Sequence, residues 1–188
     1  MRAISAGDEI ELLPAAKALA DELFPITQRN LARLGEWLPW ATPTYSIDQM
    51  REFLREREVE NAAGDALMTV IRFRGALCGS VALHQFDRPN RSTSIGYWLD
   101  GECQGRGLMT RCCAAMLDYL FDGLDIHRVT IRCGTGNSRS CAIPERLGFG
   151  REGVMREAEW INDRWVDLVT WGMLDRDWRA RRTAALSA

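Results

Sequence analysis

Apolar residues recur along the chain with two periods, one near two and one near 3.6, and their alternation sets an element order. Ile10–Leu13 reads as a short first strand. Pro14 follows where helices commonly begin, and Leu19, Leu23, Ile26, Leu31 and Leu34 recur near helical spacing, with Pro25 predicting a kink or break. Residues 38–43 form a loop. Ser46 and Gln49 make a capping box for a second helix that carries Met50, Phe53 and Leu54 on one face, fades in the polar run from Glu58 to Asn61 and ends at Gly64. Three strands follow, Leu67–Phe73, Leu77–Phe86 and Ser92–Leu99, joined by short turns at Arg74-Gly75 and Pro89-Asn90. Met109, Cys113, Met116, Leu117 and Leu120 form the core face of a helix from Leu108 to Phe121. Arg128–Cys133 is a strand reached by helical crossover, so it should lie parallel to the strand ending at Leu99. Asn137–Leu147 is a short helix, with Pro144 predicting an irregular middle. Phe149–Ile161 and Trp165–Leu174 form a final hairpin around Asn162, Asp163 and Arg164. The Arg- and Ala-rich tail after Trp178 is expected to fray as a solvated end.

Composition narrows the class. The 188 residues suit one domain with a real core, and 46% apolar and 27% charged residues are ordinary for a globular chain. A net charge of −2 gives no global basic field, so no direct nucleic-acid binding is expected. No apolar run is long enough to span a membrane, and Asp8, Glu9 and Glu11 interrupt a signal-peptide reading. Cys78, Cys103, Cys112, Cys113, Cys133 and Cys141 form no C-x-x-C pair, and the histidines are His84 and His127. No metal site is expected, and the cysteines read as reduced thiols of a cytoplasmic protein. Cys141 is weighed as a nucleophile, but no His stands near it in sequence.

The chemistry centres on residues 96–110. A strand runs into Asp100-Gly101-Glu102-Cys103-Gln104-Gly105-Arg106-Gly107, and a helix begins at once after it. Gly105 and Gly107 let the backbone approach a ligand, and the helix start offers unpaired N–H groups and the positive end of a dipole. Together they form a phosphate or pyrophosphate site. A P-loop needs Gly-Lys-Ser/Thr, and no Lys follows these glycines. A dinucleotide fingerprint needs a third glycine where Thr110 stands, directly after the first strand of a βαβ unit.

Gln104-x-x-Gly107-x-Met109 resembles the acyl-CoA pyrophosphate loop of the GNAT acetyltransferases, with Met109 in place of the last small residue. Three further blocks resemble the ribosomal-protein N-acetyltransferases of RimJ/RimL type within that superfamily. They are Asn137-Ser138-Arg139-Ser140 running to Leu147-Gly148-Phe149, Glu157-Ala158-Glu159-Trp160, and Gly35-Glu36-Trp37-Leu38-Pro39-Trp40. The likeness runs from about Ile10 to Trp178. It implies a GNAT fold of α+β class: a mixed, mostly antiparallel sheet of about seven strands, helices on both faces, and a splayed parallel pair in the middle.

The resemblance also implies acetyl-CoA as co-substrate and a primary amine as acceptor, first a ribosomal or other protein N-terminus. The alternatives are a small-molecule amine such as an antibiotic or polyamine, a longer acyl group such as succinyl, and a non-catalytic acyl-CoA sensor. Gln104, Gly105, Arg106, Gly107, Leu108, Met109 and Thr110 would hold the pyrophosphate. The backbone of Trp98 or Leu99 would meet the oxyanion, and Asn137 would meet the pantetheine amides. Ser140 would contact the departing sulfur, a role often held in this superfamily by a Tyr on the last helix, and no Tyr follows Tyr119. Glu159 is the first base candidate. Ser94 stands where relatives carry Glu before Ile-Gly-Tyr-Trp, and His84 and water are the fallback bases. Ser140 and Asn137 equally suit plain helix caps, and Glu159 a solvated strand carboxylate. Trp37, Trp40 and Trp160, with Glu102 and Asp163, are expected around the acceptor mouth. Family habit and surplus apolar and aromatic residues imply a homodimer, through the Phe149–Leu174 hairpin or the first helices.

Overall fold

The computed structural model describes residues 2–64 and 66–186. Strands β1 (Ile4–Ser5) and β2 (Ile10–Pro14) open the chain. Helices α1 (Ala20–Gly35) and α2 (Ile47–Ala63) follow, then β3 (Met68–Phe73), β4 (Ala76–Asp87) and β5 (Ser92–Leu99). Next come α3 (Leu108–Asp118), β6 (Arg128–Gly134), α4 (Ser138–Leu147), β7 (Gly150–Ile161), β8 (Arg164–Leu174) and α5 (Asp175–Leu186). The strands form one sheet in the order β1-β2-β3-β4-β5-β6-β8-β7. It has eight strands rather than about seven, because Ile4 and Ser5 pair with Leu12 and Glu11.

The expected parallel pair is β5 with β6, and it is short. Ser92 pairs with Arg128, Thr93 with Val129 and Ser94 with Thr130, and the ladder stops there. Beyond it the strands diverge and leave a gap through the sheet. Side chains alternate across this gap. Ile95, Leu99, Ile131 and Cys133 join the core under α3 and α4, with Tyr97 packed against it. Trp98 instead joins the core under α1 and α2.

Local chemistry explains most elements. Ser46 and Gln49 form the capping box at α2, and Gly64 closes that helix at φ 75°. Asn162 and Asp163, at φ 50° and 55°, make the tight turn between β7 and β8. Pro25 does not break α1, which runs unbroken through it. Pro144 likewise sits inside a continuous α4. A proline there frees the carbonyl four residues back, that of Ser140. The Tyr97 hydroxyl donates to it at 3.0 Å, so the missing helix bond is replaced from β5.

The tail is a helix rather than a frayed end. Trp178 is buried and its indole N–H donates to Asp118 at 2.8 Å. Arg182 pairs with Asp118 and Asp122, and Arg179 donates to the Phe121 carbonyl. Arg179 and Arg182 therefore have acidic partners at and just beyond the end of α3, about sixty residues earlier in the chain.

Candidate active site

The gap between β5 and β6 opens into a cavity of about 680 Å³. One end is walled by Gln104, Gly105 and residues 107–110, the other by Arg33, Glu36, Trp37, His84, Gln85 and Glu159. The two ends lie on opposite faces of the sheet. A long ligand can enter from the α3–α4 side and meet a second one from the α1 side.

The turn before α3 has the features of an anion site. Gly105 (φ 76°) and Gly107 (φ 68°) are both left-handed, and a Cβ at either would meet nothing within 4 Å. Leu108 and Met109 line the cavity and bury their side chains in the core. Thr110 accepts from Arg146 at 3.3 Å. Arg106 is exposed and does not line the cavity. Gln104 reaches across the opening: its amide nitrogen is 3.5 Å from the Leu99 carbonyl, and its oxygen accepts from Arg139 at 3.0 Å.

A buried polar cluster anchors this turn to α1. Asp100, only 2% exposed, pairs with Arg29 and accepts from Asn30 at 2.7 Å. Asn30 in turn accepts from the Gly101 N–H at 3.0 Å and from Arg33 at 2.6 Å. Arg33 also donates to the Leu99 carbonyl at 2.7 Å. Burial pushes the Asp100 carboxyl up, but its bonds to Arg29 and Asn30 outweigh this and hold it below the usual range. The cluster fixes where β5 ends and the turn begins. Sequence reading passed over it, because Asn30 and Asp100 are seventy residues apart and neither belongs to a motif.

Asn137 caps α4, accepting from the Ser140 N–H at 3.1 Å. Ser140 also faces the gap. Its hydroxyl donates to the Cys133 sulfur at 3.2 Å and lies 3.3 Å from the Tyr97 hydroxyl. Cap and cavity functions are thus divided between two residues: Asn137 caps the helix, and the Ser140 side chain already lies against sulfur. Burial pushes the Tyr97 phenol well up and the Cys133 thiol up to about 12, so both stay protonated at neutral pH. Burial raises the Cys141 thiol too, and a protonated thiol is a poor nucleophile.

On the α1 side Trp37 lies against β6. A Cβ at Gly134 would stand 2.6 Å from its ring and one at Gly136 3.1 Å, so glycine at these positions makes room for the indole. Asn162 of the β7–β8 turn donates to the Gly35 carbonyl at 2.8 Å and ties the hairpin to the end of α1. Glu159 lines the cavity from β7 and is exposed. The other expected mouth residues lie elsewhere. Trp40 packs on Tyr45, and Trp160 packs edge-on against Trp165 with a centroid distance of 5.1 Å. Neither tryptophan lines the cavity, and neither do Glu102, which sits 3.4 Å from Arg29, and Asp163. Strand alternation explains Trp160: Glu159 faces the cavity, so its neighbour faces away.

A glycine turn at a helix start, a split parallel pair and a cavity open to both faces suit a long phosphate-bearing donor that meets a second substrate. Residues 9–150 match the family described as Acetyltransferase (GNAT) domain, and the chain belongs to that family. Its relatives include YdaF of Bacillus subtilis (strain 168), provisionally named a ribosomal N-acetyltransferase, 35% identical over 87% of this chain and 90% of that one. Among solved structures, RimL, the ribosomal L7/L12 alpha-N-protein acetyltransferase, in complex with coenzyme A superposes with a TM-score of 0.88 at 28% identity, covering 94% of this chain and 99% of that one. The microcin C7 self-immunity acetyltransferase MccE, in complex with acetyl-CoA and AMP, gives a TM-score of 0.88 at 28% identity over 92% and 96%. The chain is an N-acetyltransferase that uses acetyl-CoA as co-substrate.

Proposed function

We propose that this chain transfers the acetyl group of acetyl-CoA directly to the α-amine of a protein N-terminus, a ribosomal protein first, with both substrates bound at once. The observation that carries this is the single cavity, which runs from the 104–110 turn through the sheet to Trp37 and Glu159. Gln104, Gly105, Gly107, Leu108, Met109 and Thr110 hold the pyrophosphate, with Arg106 outside the cavity they line. Asn137 retains its side-chain N–H groups for a pantetheine carbonyl, and the backbone at Trp98 and Leu99 meets the thioester oxygen. Ser140 donates its hydrogen bond to the thiolate as the C–S bond breaks. Glu159 draws in the cationic acceptor and takes its first proton. The acceptor class follows the names of YdaF and RimL; the AMP bound to MccE supports a second reading, a small-molecule amine. A panel of N-terminal peptides, polyamines and aminoacyl nucleotides, incubated with acetyl-CoA and read by mass spectrometry, separates the two. Acetylation confined to the small amines would overturn the protein reading.

Glu159→Gln should slow the reaction more near pH 7 than near pH 9, because an α-amine with a pKa of about 8 is already neutral at the higher value. A loss of the same size across that range would assign Glu159 to acceptor positioning alone. We also infer that the enzyme works in the cytoplasm as a homodimer, joined through the outer hairpin. Val154, Met155, Trp160 and Trp165 are exposed there, on the edge strand β7 and its neighbour. Light scattering should return twice the chain mass of 21.3 kDa, and the single-chain mass at working concentration would refute the pairing. Among the described residues no helix is long and apolar enough to cross a membrane.

A further inference from the structure

We infer that His84 is the base that takes the second proton from the acceptor nitrogen during acetyl transfer. This rests on the transfer reading above and adds a catalytic residue to it.

His84 is held in place from two sides. It is the last regularly paired residue of β4 before a bulge, opposite Ser94, and Gln85 then turns to φ 54°. Its carbonyl accepts from the Thr93 hydroxyl at 3.0 Å and the Ser94 hydroxyl at 3.1 Å. Its ring lies over the backbone of β5. A Cβ at Gly96 would stand 2.7 Å from the ring Nε2 and 3.0 Å from Cδ2. Gly96 has no positive φ, so its backbone does not call for glycine; the imidazole does. Among the described residues neither ring nitrogen has a hydrogen-bond partner, and the ring lines the cavity. The other histidine, His127, is committed to Asp175 at 3.2 Å.

Position and chemistry agree. Ser140 reaches the gap from α4, on one face of the sheet, and His84 lies on the other face, where the acceptor enters. An ammonium acceptor must shed two protons. The first leaves before attack, to Glu159 and water. The nitrogen then forms its bond to the thioester carbon and carries a positive charge in the tetrahedral intermediate. The second proton passes from that nitrogen to a ring nitrogen of His84 as the C–S electron pair leaves with sulfur, which takes the Ser140 hydrogen bond. The imidazolium then returns its proton to solvent. A neutral imidazole suits this task. Partial burial, with repulsion from Arg57 of α2, pushes His84 below its ordinary value. Arg57 is itself bonded to Glu60, and the other charged groups on this side of the cavity are Arg33 and Glu36 from the end of α1, Arg132 of β6 and Glu159 of β7.

The test is chemical rescue. In His84→Ala, kcat should fall about 10²-fold or more, while KM for acetyl-CoA stays within about twofold. Added imidazole should restore at least about tenfold of the lost rate, with a pH dependence that follows the added base. Gly96→Ala, which pushes the ring aside but keeps it, should lose rate in the same direction. Two results would overturn the assignment. One is a His84→Ala enzyme within about threefold of the parent. The other is a loss that imidazole does not repair and that lies in KM for the acceptor. A parent chain that acetylates no amine at all would remove the transfer reading and this role together, and needs no variant to be seen.

Discussion

Ser140→Ala should lower kcat by about 10²–10⁴-fold, the usual worth of acid or base assistance, while acetyl-CoA affinity changes little. The thiol of the leaving group has a pKa near 8.5, so the thiolate can depart unaided, but only slowly without a donor beside the sulfur. The placement of Ser140, the proposed donor, is fixed on every side. The Asn137 side chain holds its N–H, the Tyr97 hydroxyl holds its carbonyl, and its own hydroxyl already contacts the Cys133 sulfur. Alanine removes the last of these contacts and leaves the two backbone contacts intact, so α4 and the gap should keep their shape. A fall in kcat with unchanged thermal stability is the expected pattern. A fall matched by a lower melting temperature would instead mark Ser140 as part of the wall.

Gly107→Val should weaken acetyl-CoA binding by at least about tenfold, or ~1.4 kcal/mol, in a chain that still folds. Two effects act together. Gly107 sits at φ 68°, a conformation that a β-branched residue resists at a cost of about 1–3 kcal/mol. The space above its Cα, empty to 4 Å, is where the proposed pyrophosphate contact would bring a phosphate to the backbone. Calorimetric titration with acetyl-CoA measures the loss. Unchanged affinity in a folded variant would show that the pyrophosphate is held elsewhere. Gly105→Ala meets the same strain with less bulk and should fall between the two.

Seven of the eight strands, the four helices before α5 and the turn before α3 could be read from local signals, because those signals cause them. Glycines at the turn, the Ser46–Gln49 capping box and the spacing of Asn137 and Ser140 act within a few residues of themselves. The rest of the site depends on contacts between distant stretches. Tyr97 and Ser140 are forty-three residues apart, and only the fold brings them together. The same contact explains why the kink expected at Pro144 does not open the helix: the carbonyl that proline freed had a donor waiting on β5. Gly96, Gly134 and Gly136 carry no sign in sequence of the rings that lie on them, His84 for the first and Trp37 for the other two. The C-terminal arginines looked like a solvated end because their partners, Asp118 and Asp122, lie on another helix. Trp40 and Trp160 show the opposite error. Both are expected around the acceptor mouth, but neighbouring residues of a strand face opposite ways, so of residues 157–160 only Glu159 lines the cavity from β7, together with Trp37 from beyond the end of α1.

Direct transfer in one cavity is the central claim, and the fate of the acetyl group tests it most directly. The enzyme is mixed with acetyl-CoA alone and followed by intact-protein mass spectrometry on the timescale of turnover, then given the acceptor peptide while initial rates are recorded against both substrates. The account predicts an unmodified chain before the acceptor arrives, and rate patterns that require both substrates to be bound together. An acetyl group on Cys141 or any other side chain, formed and consumed as fast as the enzyme turns over and joined to ping-pong kinetics, would contradict it.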